Sequence, residues 1–340
     1  MRFLNSRSAV VIAFTAALLA PVPTHADDLT MAGRMRLAPG LQGTRNANEQ
    51  TERVTRTFKL GPNGQVDLAN ISGDITVTAG GAGDVTLEVV KVARGRSEAD
   101  AREQLGLVQV EISERPGRAE ARTRYPRSER RSTNVSVRYT VTAPPGTTVE
   151  ARSISGSVRI TGITGPVNAE SISGDVRIEK GGRVERAKSI SGTVDIQGVK
   201  LDGTLEASSV SGDVRIRDVD VRRLELGSVS GDVEVGEVTC QTAELKSTSG
   251  DVEYTGALQT NGRYEFRSHS GTVRVTLSGD VGFQLEASSF SGSIDTELPI
   301  TIGGTGGGRA SRRALRGVYG DGGATLELTT FSGNVIIRKR

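Results

Sequence analysis

The chain sets 43 Lys and Arg against 40 Asp and Glu over 340 residues, with one cysteine, two histidines and no tryptophan. So even a balance excludes an overall basic field for gathering nucleic acid, a single cysteine excludes a disulfide framework, and two histidines, one of them within the first 26 residues, leave no multi-histidine metal site in the rest of the chain.

Arg2 and Arg7 precede an apolar run from Ala9 to Ala20, a proline break and the small-residue sequence Thr24-His25-Ala26, which together read as a secretory signal peptide over residues 1–26. The run is too short to span a membrane and no later segment is more apolar, so the mature chain is expected to be exported, without a transmembrane segment. Its charge is 41 bases against 40 acids, or +1, and His269 is its only histidine. Residues 27–52 are polar and aperiodic and read as a flexible leader. A β-rich cap is expected over residues 53–148. Within it VTRTFKL, QVDLANI, DITVT and DVTLEVVKV alternate apolar with polar residues, and SEADAREQLGLV, from Ser97, predicts a helix near 97–108 with Ser97 as N-cap. Arginines concentrate between Arg115 and Arg131 and again between Arg309 and Arg316, and both stretches read as solvated loops.

From residue 149 to the end, one short unit recurs. Its variants include SISGSVRI, SISGDVRI, SVSGDVEV, SHSGTVRV, SFSGSIDT and TFSGNVII, and NISGDITV occurs earlier. The serine before each glycine falls at 155, 173, 191, 211, 230, 249, 270, 291 and 332, a period of about 20 residues with one double gap. Counting that serine as zero, apolar residues recur at minus six, minus four, plus three and plus five. Two period-2 strands per repeat joined at a Ser-Gly corner make an all-β fold, a parallel β-solenoid, with a Gly/Arg-rich insertion near 301–323. Right-handed winding is expected from the general rule for parallel crossovers, and Arg338-Lys339-Arg340 would then place charge beside the last strand edge.

Ten similar serines argue against one nucleophile, since a nucleophile needs one special environment with a base beside it. Glycine is expected to supply the backbone geometry of the corner and the hydroxyls to bond turn backbone. The residue between the serines runs Ile154, Ile172, Ile190, Val210, Val229, Thr248, His269, Phe290, Phe331, and this apolar column is expected to face inward, with His269 a packed or rim residue. Cys240 reads as a buried small hydrophobe.

The signal peptide, the first ISGDITV unit, the helix-containing insertion, VRYTVTAPPG, the stacked SGDV units and the ending GDGGATLELTTFSGNVIIR together resemble the bacterial "putative adhesin" domain family, a family of unknown biochemical function. The resemblance covers roughly Val54 to Arg340. It implies a β-solenoid envelope or surface protein with no established catalytic residues.

GGTGGGRASRR, from Gly303, lacks a Walker lysine followed by Ser or Thr and reads as a flexible insertion rather than a phosphate loop. In SGDVEVG and SGDVEYT, parity turns Asp232, Glu234, Asp251 and Glu253 outward as a two-by-two patch, inside a segment with nine acids against three bases. Such oxygen clustering makes the four a candidate calcium site; no other cofactor is expected. The function expected is that of an exported, noncatalytic, adhesin-like scaffold or binding surface at the periplasm, cell surface or beyond. Its partner would be an unidentified envelope protein or polymer and not nucleic acid. The alternative is a β-helix carbohydrate-active enzyme using outward carboxylates.

Overall fold

The computed structural model describes residues 48–81, 83–126, 133–302, 310–311 and 313–340. The signal peptide, most of the leader, most of the Gly303 insertion and the end of the first arginine-rich stretch lie outside the described residues.

The fold is all-β with one helix and a long, mostly parallel sheet. Within each repeat one strand runs into the Ser-Gly corner and a second leaves it, as Thr148–Ser155 is followed by Val158–Thr161 and Pro166–Ser171 by Val176–Glu179. Successive repeats pair in parallel and in register: Val149 opposes Val167, Ala151 opposes Ala169, Val158 opposes Val176 and Ile160 opposes Ile178. All eight are buried, because β-branched and small residues of matching parity fill the space between the two strand rows. Three longer strands, Val194–Ser208, Val214–Ser228 and Val233–Ser249, run from one corner round to the next and add a third side, where Val199, Val219 and Val238 oppose one another. The bend into that side is left-handed, at Gly162, Lys180, Gly198, Asp218 and Glu237, with φ between 51° and 77°.

Cys240 is buried on this third side, as expected of a small hydrophobe. Its backbone carbonyl accepts a 2.6 Å hydrogen bond from the Tyr264 hydroxyl, and burial pushes the thiol up to about 12. Tyr254, Tyr264 and Phe266 pack beside it as one aromatic cluster, with ring centroids 5.1 to 6.4 Å apart.

At both ends the spatial order departs from chain order. Arg118–Arg124 pairs in parallel with Gln65–Ser72, and Val135–Ala143 with Ile75–Ala79, so these two strands stack on the far side of the first ISGDITV unit from the repeats that follow. Val85–Gly95 then adds antiparallel to Val135–Ala143, and Asn48–Phe58 antiparallel to Val85–Gly95. This outermost strand starts six residues before Val54, where the alternation begins. Its first residues, NEQTER, are mostly exposed, so pairing of their backbone with Val85–Gly95 leaves no apolar period to read. The helix, Glu98–Leu107, is capped by the Ser97 hydroxyl accepting from the Asp100 N–H at 3.1 Å.

The double gap before the last unit has a topological cause. Ala324–Ser332 lies between Arg263–Ser270 and Phe283–Ser291, parallel to both, and Val335–Lys339 lies between Val273–Ser278 and Ile294–Thr296. The chain passes the position of its own last repeat, forms the SFSGSIDT unit, returns through Ala314–Tyr319 antiparallel to Phe283–Ser291, and fills the space it left. The expectation that Arg338-Lys339-Arg340 guards a bare edge is therefore corrected. That strand is internal; Lys339 meets Asp280 at 3.1 Å and Arg338 meets Glu297 at 3.6 Å.

Candidate functional site: the serine corner and its exposed file

The first serine of each corner is buried and faces inward. Its hydroxyl donates to the carbonyl of the corner glycine one rung below: Ser171 to Gly156, Ser189 to Gly174, Ser209 to Gly192 and Ser228 to Gly212, each at 2.9 Å. The ladder continues through Ser247 and Ser268, then follows the spatial order, with Thr330 donating to Gly271 and Ser289 to Gly333. Glycine is needed mainly for close approach. A Cβ on Gly174, Gly212 or Gly250 would lie 2.2 Å from the carbonyl oxygen of the glycine below, and only Gly73 and Gly333 among the corner glycines have positive φ.

Ser153 departs from this pattern. The carbonyl beneath it, Gly73 O, already accepts from Asn70 Nδ2 at 2.7 Å, and the Ser153 hydroxyl is buried with no hydrogen-bond partner. A buried hydroxyl left so costs about 1–3 kcal/mol.

The residue between the serines faces out, which overturns the inward column. Ile154, Ile172, Ile190, Val210, Val229, Phe331 and Phe290 are the main exposed large hydrophobics, and Phe290 is 66 % exposed. The reason is parity. Ala207 is inward, so Ser209 two residues on is inward, and Val210 must point away. The apolar residues at minus six and minus four already carried that signal; it was overridden by equating apolar with buried. In space the file ends His269, Phe331, Phe290, with rings stacked at 4.8 and 4.6 Å and interplanar angles of 10° and 4°. His269 is thus an exposed ring in a stack.

Two residues earlier on the same outward face runs a second column: Arg152, Glu170, Lys188, Ser208, Gly227, Lys246, Arg267. The two columns form the walls of recesses at each end of the file, one of about 500 Å³ along Ile71, Ile154, Ile172 and Ile190, and one of about 590 Å³ along Thr248, His269, Phe331 and Phe290. At the second, Lys246 pairs with Glu244, whose carboxyl it holds below the usual range, and Arg267 with Glu265 and Glu327. At the first, Arg152 pairs with Glu150 and, at 3.4 Å, with Glu170, while Lys188 has no ion pair among the described residues.

The four acids proposed for calcium are brought together: Glu234 opposes Glu253, and Asp232 lies one rung from Asp251. Each is engaged. Asp232 accepts from the Asp251 N–H at 2.8 Å and Asp251 from the Thr272 N–H at 2.8 Å, two rungs of a ladder that Asp74, Asp175 and Asp213 share. Glu234 pairs with Arg215 at 3.2 Å and Glu253 with Arg274 at 3.3 Å. Among the described residues no three His, Cys, Asp or Glu side chains are grouped to hold a metal ion.

A stacked, mostly parallel sheet with a repeated Ser-Gly corner defines the class of protein. The chain belongs to the family described as Toastrack DUF4097, whose model matches residues 63–338. No curated protein matches it. Similar solved structures include a "putative adhesin" from Bacteroides fragilis NCTC 9343 (16% identity, 85% of this chain and 97% of that chain, TM-score 0.42). Another is a "putative lipid binding protein" from Parabacteroides distasonis ATCC 8503 (15%, 85% and 96%, 0.46). A third is a "putative cell adhesion protein" from Clostridium sporogenes ATCC 15579 (11%, 86% and 100%, 0.24). No helix among the described residues is long and apolar enough to cross a membrane.

Proposed function

We propose that the chain is an exported, noncatalytic binding module of the cell envelope, a β-solenoid of coils of about 20 residues spanning residues 149–340 on a β-rich cap. The observation that supports it most is the exposed file from Ile154 to Phe290. A straight row of large apolar side chains left in water across successive rungs is costly and marks a contact surface. The inward serines of the corners support a binding role over catalysis, because their hydroxyls are spent on the glycine carbonyls. The outward carboxylates that a β-helix glycosidase would use are held by arginines and corner N–H groups instead.

The test is retention of the purified full chain on the cell-envelope fraction of its source. The triple variant Ile172→Asp, Val229→Asp, Phe331→Asp is expected to lose retention with an unchanged unfolding temperature, since all three side chains are exposed. Equal retention of the variant, or hydrolysis of a polysaccharide by the wild type, overturns the proposal.

A further inference from the structure

The recess at the isoleucine end has properties that the aromatic end lacks. One wall is four isoleucines in adjacent rungs, Ile71, Ile154, Ile172 and Ile190, a span of about 14 Å at the interstrand repeat. The facing wall carries three cations, Arg122, Arg152 and Lys188, against one acid, Glu170. That acid is held by Arg152, and Arg122 is held by Glu120 at 2.8 Å, which leaves Lys188 as the cation with no ion pair among the described residues. An apolar track with an uncommitted cation beside it is complementary to one kind of molecule, a chain with an anionic end.

Building on the binding-module reading above, we infer that this recess binds a single-chain anionic amphiphile. The tail lies along Ile71 to Ile190, whose span matches a chain of roughly dodecyl length, and the head is held by Lys188 with Arg152. A cationic amphiphile would meet the wrong charge.

Calorimetric titration of the full chain with dodecanoate, below the concentration at which it forms micelles, tests this. One saturable site is expected. Decanoate, two methylenes shorter, should bind on the order of tenfold more weakly, acetate should not bind, and dodecyltrimethylammonium should bind more weakly than dodecanoate. Lys188→Glu and Ile172→Asp should each weaken dodecanoate about tenfold or more without lowering the unfolding temperature, and Phe331→Asp at the other end should leave it unchanged. Absence of dodecanoate binding, equal binding of the two head-group charges, or indifference to Lys188→Glu overturns the inference. Envelope retention that survives while dodecanoate fails to bind would sink this inference alone; dodecanoate binding without file-dependent retention would sink the broader reading.

Discussion

Between Thr148 and Ser278 each repeat lies on the one just made, whereas at the C-terminal end the last repeat is wedged beneath its predecessor. Corner chemistry is the same in both regions. Ser228 reaches Gly212 across 16 residues at 2.9 Å, and Thr330 reaches Gly271 across 59 residues at 2.8 Å. Closing the longer connection costs only about 1 kcal/mol more, so stacking order is free to follow strand quality rather than chain order. The wedge places the five-residue Val335–Lys339 inside and leaves the three-residue Ile294–Thr296 outermost, and a short strand makes a poor template for aggregation at an edge.

Ending the chain at Tyr319 breaks this comparison most severely. Phe283–Ser291 and Ile294–Thr296 would lose every parallel partner they have, since both pair in parallel only with the deleted segment. Hydrogen exchange is expected to show their amides unprotected, with the strands from Thr148 to Ser249 still protected. Were the repeats stacked in chain order, the same deletion would trim an end and Phe283–Ser291 would stay protected against Arg263–Ser270. Retained protection therefore refutes the wedge.

Glycine substitutions sharpen it next. In Gly250→Ala the new Cβ meets Gly231 O at 2.2 Å, and in Gly333→Ala it meets Gly271 O at 2.1 Å. Both should cost about 3 kcal/mol in urea unfolding, the high end of overpacking penalties. Equal loss in middle and wedge is expected because both corners stack on a glycine carbonyl, and a much smaller loss at Gly333 would show that the last corner is not stacked. Gly227→Ala is the control: its nearest neighbour is Lys246 O at 3.9 Å, and a stabilisation of roughly 0.5 kcal/mol is expected from the less flexible unfolded chain.

The serine ladder gives a smaller contrast. Ser209→Ala removes the hydroxyl that donates to Gly192 O and should cost about 1 kcal/mol. Ser153→Ala removes a buried hydroxyl with no partner and should be neutral or slightly stabilising. A loss at Ser153 equal to that at Ser209 would show a hydrogen bond there that the geometry lacks.

The middle was legible because its information is local. Valine and alanine parity within each unit, the Ser-Gly corner and the period of the repeat are all carried by residues within a few positions of each other, as Leu205, Ala207, Val214 and Ile216 illustrate. The wedge was not legible, since TFSGNVII reads the same whether it stacks before or after SFSGSIDT; only the crossing through Ala314–Tyr319 decides, and no local pattern encodes it. The exposed file was misread for a different reason. Ile172 and Val210 are apolar at outward parity, and apolarity was weighed above parity, although a contact surface is where the two signals disagree. The left-handed bend was missed because Lys180, Asp218 and Glu237 occupy it beside Gly162 and Gly198, so no single residue type marks the column.

The smallest expected effect concerns the acidic middle coils. Calcium would have to draw Glu234 from Arg215 and Glu253 from Arg274, and compete at Asp232 and Asp251 with corner N–H groups at 2.8 Å. A ligand stabilises a fold only through its affinity for the native state over the unfolded one, and carboxylates already engaged in the native state yield little of that difference. Millimolar calcium is therefore expected to leave the unfolding temperature unchanged, and Asp232→Asn with Asp251→Asn to remain folded, because an asparagine side-chain oxygen can accept the same N–H as Asn334 does from Ser293 at 3.0 Å. A calcium-dependent rise that this double variant abolishes would instead establish the four carboxylates as a metal site, with the arginines displaced to admit the ion.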